Sequence, residues 1–446
     1  MNRINKMLNT RNYCCFLTRE KENKKVQNRN SNNNNNDSKI VNYGGGGIAG
    51  RWRILSGENQ WEGLLDPLDS DLRRYIIHYG EMAQATYDNF IRQKASKFAG
   101  DWRYPRQSIL GNVGLVKGNP FKYSVTRYVY ATSSVPVPDA FILKSDWNRE
   151  SNWIGFIAVA TEEGAAALGR RDILVAWRGT VRNLEWVDDF ACVFSDAPEI
   201  FGGKAAAGPK VHLGWYSIYT SRNPKSPVTN IGARDQVLAE VKRLVELYKN
   251  EEVSITTCGH SLGASLATLN AVDIATNGAN KPSSDGKAFP VTAFAYACPR
   301  TGDHNFKKAI KTTPKLRLLR VRNVPDIVPQ VPPATLLTGY ADVGVELAIN
   351  VTKSSYVKAP GELSSWHSLE SYLHGIAGTK GVKTGDGFEL VVGRGIALVN
   401  KSLDYLKEEY GVPQKWWTEK NRGMVQEDDG SWKLMDHEEG YTPTPP

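Results

Sequence analysis

Residues Gly259-His260-Ser261-Leu262-Gly263 carry a pattern suited to nucleophilic chemistry. They separate the β-branched run VSITTC (Val253 to Cys258) from the helical run LGASLATLNAVDIAT (Leu262 to Thr276). A serine flanked in this way can stand on a sharp, strained strand-to-helix turn, because glycine lets strand and helix approach closely. The helix N-terminus behind it favours developing negative charge. The chemistry is acyl transfer, with the hydroxyl attacking an ester carbonyl. Three further parts are then required. An imidazole must take the hydroxyl proton, a carboxylate must hold that imidazole in one tautomer, and preformed donors must wait where the oxyanion develops. The five-residue pattern alone is weak; the strand before it and the helix after it give it meaning.

Those parts need a scaffold, and the surrounding sequence supplies its elements. WIGFIAVA (Trp153 to Ala160) and DILVAW (Asp172 to Trp177) read as neighbouring strands. ARDQVLAEVKRLVELY (Ala233 to Tyr248) places Val237, Val241, Leu244, Val245 and Tyr248 on one helical stripe. VTAFAYAC (Val291 to Cys298) and LRLLRVR (Leu316 to Arg322) are strands again. Strands alternating with longer helical patterns predict an α/β fold, with a mainly parallel central sheet and helices on both faces.

GHSLGASLA, with AWRGT (Ala176 to Thr180) and VHLGW (Val211 to Trp215), resembles the class 3 lipase family. Trp52, WEGLLDPLD (Trp61 to Asp69) and NVPDIVP (Asn323 to Pro329) are similar to its plant phospholipase A1 group of type II, the kind without a plastid transit peptide. The resemblance covers roughly residues 51–430 and implies the α/β-hydrolase fold. It also implies cleavage of the sn-1 ester of phosphatidylcholine-type glycerolipids, with transient peripheral contact at a membrane or lipid interface. The residues alone do not select sn-1 over sn-2, so a triacylglycerol or galactolipid lipase is the alternative. A lipase-like signalling protein would usually carry a large helical domain after the hydrolase unit, and only 72 residues follow His374.

In such sheets the chain order is Ser, then Asp, then His. Asp326 follows the strand LRLLRVR and the turn NVP, in a loop stiffened by Pro325 and Pro329; Asp303 and Asp342 are its rivals. The resemblance favours Asp326. Three histidines follow it, His367, His374 and His437, and His437 lies in the charged tail. His367 and His374 are seven residues apart in SSWHSLESYLHGIAG, on one face of an unbroken helix. His367 sits where a helix would begin, with Ser364 or Ser365 as caps. The family pattern places an aromatic residue shortly after the catalytic histidine, as Tyr372 follows His367, so His367 is the expected base and His374 the alternative. His260 and His212 read as structural. The oxyanion donors are expected to be the Leu262 N–H and, by resemblance, Thr180, which otherwise is an ordinary strand-end threonine. The following VRNLEWVDDF matches the position of an amphipathic lid, with Val181, Leu184 and Trp186 as its apolar face; a helix packed on the sheet is the alternative.

Composition closes off other classes. The apolar residues make up 41% of the 446, and no apolar run approaches the 18 or so needed to span a bilayer. The net charge is +9, but nine Lys/Arg against three Asp/Glu put six of those charges on the first 50 residues. That stretch also holds thirteen Asn and reads as a disordered extension. A nucleic-acid partner is therefore not expected. No metal-ligand spacing, P-loop or dinucleotide fingerprint occurs, and a serine mechanism needs no cofactor. Five scattered cysteines and the absence of an apolar secretory core predict a cytoplasmic protein, with plastid or mitochondrion as the alternative if the basic start is a presequence. The expected layout is extension 1–50, catalytic domain 51–412 and a loosely packed end, 413–446.

Overall fold

Among the described residues, seven strands form the central sheet, in chain order across it: β1 (Tyr123–Ala131), β2 (Asn152–Ala160), β3 (Arg171–Trp177), β4 (Val253–His260), β5 (Val291–Tyr296), β6 (Leu316–Asn323) and β7 (Val345–Ile349). The computed structural model describes residues 47–434, apart from residue 95 and segments 139–141, 143–150, 181–192, 203–207, 284–285, 336–337, 382–386 and 418–423. From β3 to β7 every pairing is parallel, while β1–β2 and β2–β3 are antiparallel.

Strands β2 to β5 are buried along their whole length, because apolar layers cover both faces. Along β3, Ile173, Val175 and Trp177 enter one core, and Leu174 and Ala176 enter the other. The first core is closed by helices α2 (Ala233–Leu247) and α3 (Leu262–Thr276), through residues such as Val237, Leu244, Leu266 and Leu269. The second is closed by α1 (Ser70–Asp88) and α4 (Leu369–Gly378), through Tyr75, Ile76, Tyr372 and Leu373. Register brings the C-terminal strand ends level: Trp177 pairs with Gly259, His260 with Tyr296, and Tyr296 with Val321. The loops leaving β3, β4 and β6 therefore open on one edge, where ligands of parallel sheets bind.

The mainly parallel α/β expectation holds, with differences. The neighbours β2 and β3 run antiparallel. β5 stops at Tyr296 rather than Cys298, since Ala297 takes φ 49° and turns the chain out of the sheet. After Pro413 most of the described residues are half-buried or exposed, while Trp416 and Met424 are buried. Trp416 is fully buried with its indole N–H donating to Ala397 O (2.9 Å). Its ring meets Trp432, which lies on the hairpin of strands Met424–Gln426 and Trp432–Leu434. The apolar area of clustered tryptophans offsets the cost of ordering that segment. No helix among the described residues is long and apolar enough to cross a membrane.

The N-terminal end of β3 carries a buried carboxylate. Asp172 accepts hydrogen bonds from Tyr79 (2.9 Å), Tyr123 (2.7 Å), Ser254 (2.5 Å) and Thr256 (2.8 Å), and the Arg170 guanidinium lies 3.4 Å away. This ties α1, β1, β3 and β4 together far from the loops above. Removing one partner of a buried pair leaves the other uncompensated. Asp172→Ala should therefore lose about 3–5 kcal/mol in denaturant unfolding, and a loss within experimental error would contradict this account.

Candidate active site

The turn between β4 and α3 has the geometry its glycines permit. Ser261 sits at φ 58°, ψ −127°, a conformation that costs a non-glycine residue about 1–3 kcal/mol. A Cβ on Gly259 would lie 2.2 Å from Gly263 O, and one on Gly263 would lie 2.4 Å from Trp177 O. Both positions must be glycine for strand, helix and the end of β3 to meet here. The N-cap of α3 is Ser261 itself, yet its side chain makes no capping hydrogen bond. The hydroxyl turns instead to His367, whose Nε2 lies 3.0 Å from Ser261 Oγ.

His367 Nδ1 donates to Asp326 Oδ2 at 2.7 Å. Asp326 is fully buried in the loop after β6. Its Oδ1 accepts from the Val328 N–H (3.0 Å), and its Oδ2 also accepts from the Tyr372 hydroxyl (2.7 Å). Burial, reinforced by the carboxylate, pushes the Tyr372 phenol well above its usual range and keeps it a donor. With Nδ1 committed as donor, His367 Nε2 carries the lone pair and accepts from the Ser261 hydroxyl. Ser261, His367 and Asp326 thus lie in one hydrogen-bonded line, almost wholly shielded from water.

The rivals lie elsewhere. Asp303 caps the helix His304–Thr312 by accepting from the Phe306 N–H (2.8 Å), and Asp342 pairs with Arg300 (2.9 Å). His374 bonds to Ser354 Oγ (2.8 Å) and packs on Tyr356 and Phe388, with its pKa pushed down to about 3 by burial and then by Arg394. His212 caps the helix Leu213–Thr220 by accepting from the Gly214 N–H (3.0 Å). His437 lies outside the described residues. Leu262 opens α3, so its N–H belongs to the first turn, whose donors have no partner within the helix. Thr180 is buried in the turn after β3, and a Cβ on the preceding Gly179 would lie 2.4 Å from His260 O. The lid candidates Val181, Leu184 and Trp186 lie outside the described residues.

The model of the lipase (class 3) family matches residues 174–336. Phospholipase A1-IIgamma of Arabidopsis thaliana is 54% identical over 397 residues, covering 88% of this chain and 94% of that protein. Phospholipase A1-II 7 of Oryza sativa subsp. indica is 52% identical over 407 residues, covering 88% and 98%. The chain belongs to the class 3 lipase family. Within it, the chain falls in the plant group named phospholipase A1-II. A solved Rhizomucor miehei triacylglyceride lipase aligns at 17% identity and TM-score 0.41, covering 63% of this chain and 81% of that one.

In this class 3 lipase family member two residues at the site went unassigned in the sequence. Tyr372 marked the histidine by position, but its bond to Asp326 was not foreseen; its place on the first turn of α4, beside His367, was the available signal. Asn323 opens the NVPDIVP block. Its amide donates to Trp366 O (2.9 Å) and accepts from the Val351 N–H (3.1 Å), fastening the end of β6 to the segment that carries His367. Among the described residues, no group of three or more His, Cys, Asp or Glu is placed to hold a metal.

Two tests follow from the contrast between the histidines. His367→Ala should lower ester hydrolysis by about 10³-fold or more, as for members of a catalytic triad, and His374→Ala far less; the opposite ranking would move the base. His78 and His374, both with pKa values near 3 in the fold, are buried neutral. The unfolded chain binds their protons first as pH falls below about 6.5. Their stabilisation is complete above that pH and is lost toward pH 3, at about 1.4 kcal/mol per pH unit for each histidine. Denaturant titrations between pH 7 and 5 should show this slope, reduced by one proton in His374→Gln; an unchanged slope would contradict it.

Proposed function

We propose that this chain is a serine acyl hydrolase of glycerolipids that cleaves foremost the sn-1 ester of phosphatidylcholine-type phospholipids, a phospholipase A1. The observation that carries the reading is the 3.0 Å contact of Ser261 Oγ with His367 Nε2, backed by Asp326, in a chain 54% identical to a protein named phospholipase A1-IIgamma. Ser261 Oγ attacks the ester carbonyl while His367 Nε2 takes its proton. Asp326 holds the imidazole in the needed tautomer and offsets the imidazolium charge. The Leu262 N–H, with Thr180, receives the oxyanion. His367 returns the proton to the departing lyso-lipid oxygen as the C–O bond breaks, leaving an acyl-serine. Water then gives a proton to His367 and its hydroxyl to the acyl carbon, and His367 returns that proton to Ser261 Oγ as the acyl–Oγ bond breaks, freeing the fatty acid and Ser261. No step draws on a metal or cofactor. The substrate is taken from a lipid interface by peripheral contact.

Phosphatidylcholine carrying different acyl chains at its two positions tests the reaction and its regiochemistry together. The expected products are the sn-1 fatty acid and the 2-acyl lysolipid, with turnover reduced at least about 10³-fold in Ser261→Ala. Release of the sn-2 chain, or faster turnover of triolein or a galactolipid, would overturn the assignment of substrate. Comparable turnover in folded Ser261→Ala would overturn the nucleophile.

A further inference from the structure

His260 adjoins the nucleophile, yet its ring bonds to other groups than the serine hydroxyl. Both ring nitrogens are engaged. His260 Nε2 lies 2.7 Å from the backbone carbonyl oxygen of His367. A carbonyl only accepts, so this nitrogen carries the hydrogen. Nδ1 is then a lone pair, and the Tyr87 hydroxyl, 2.8 Å away, donates to it. The ring also packs against those of His367 (centroids 4.7 Å apart) and Tyr372 (5.9 Å). Burial, with His367 beside it, pushes the His260 pKa well below the ordinary histidine value.

The carbonyl that His260 holds lies at a weak point of the chain. His367 closes the short helix Leu363–Trp366, and α4 begins only at Leu369. The Tyr372 N–H makes the ordinary i→i−4 bond to Ser368 O (3.1 Å), so α4 takes Ser368 as its N-cap and leaves His367 before its first turn. The backbone on either side of the imidazole is thus steadied by side chains, Asn323 at Trp366 O (2.9 Å) and His260 at His367 O. Space for the Tyr87 hydroxyl is provided by Gly179, where a Cβ would come 2.0 Å from Tyr87 Oη.

We propose that Tyr87 and His260 are positioning residues: Tyr87 anchors the ring of His260 through Nδ1, and His260 fixes the main chain of His367 at the height where its imidazole meets Ser261. The proposal rests on the reading of Ser261, His367 and Asp326 as the catalytic set. The peptide that presents the nucleophile also presents the brace for its base, so Ser261 and His367 move as one body. A shift of the imidazole by about 1 Å is enough to cost on the order of 10²-fold in rate.

The test is steady-state kinetics on phosphatidylcholine with His260→Leu, His260→Gln, Tyr87→Phe and Ser261→Ala, each checked for folding by circular dichroism. His260→Leu removes the donor and should lower kcat about 100-fold with KM within about twofold. His260→Gln restores an amide donor toward His367 O and should recover about tenfold of that loss. Tyr87→Phe keeps the ring, removes the hydrogen bond that anchors His260 Nδ1, and should lower kcat about tenfold without moving KM. Equal losses in the Leu and Gln variants, a change in KM alone, or an unchanged kcat in Tyr87→Phe would each overturn the relay and leave the catalytic set untouched. Full activity in Ser261→Ala would instead overturn that set and the relay with it.

Discussion

A serine at a helix N-cap ordinarily bonds to the backbone of its own helix. Ser261 is prevented from doing so by its backbone, held at positive φ between Gly259 and Gly263. Its hydroxyl is left for His367. The rest of the structure depends on that denied cap. The sheet must bring β4 close under α3, and the end of β3 must pass within van der Waals range of Gly263. A bulkier residue at either glycine would force strand and helix apart, and a relaxed serine would cap its helix.

The strain is local and its support is distributed. Asp326 is fixed by the Val328 N–H and the Tyr372 hydroxyl as well as by the imidazole it orients. The segment bearing His367 is fastened by Asn323 to β6 and packed through α4 onto α1. At the other end of the sheet the Asp172 cluster locks the strands together without touching the site. Donors and acceptors preset in a buried place cost little reorganisation when charge appears. That is the physical sense in which this fold serves acyl transfer.

Much of the site was legible because its signals are local. Two glycines around a serine, a β-branched run before it and a small-residue helix after it define the elbow within about 25 residues. Chain order, with His437 set aside in the charged tail, then limits the histidine to His367 or His374. What was not legible depends on tertiary packing. The direction of β2 against β3 leaves no trace in two short apolar runs. Tyr87 and His260 are 173 positions apart, and only the fold brings their side chains together. The contacts of Trp416 and Gln426 after Pro413 were not legible because their partners, Ala397 and Gly114, lie in unremarkable stretches.

The central claim is that one hydroxyl in this chain, that of Ser261, is the acyl-accepting group, activated by His367. A fluorophosphonate reports this directly, because it bonds irreversibly to a serine whose proton is being removed. After reaction in the presence of lipid, peptide mapping should find a single adduct on the peptide containing Ser261, formed much more slowly in His367→Ala. An adduct on another residue, or none in the folded protein, would contradict the account.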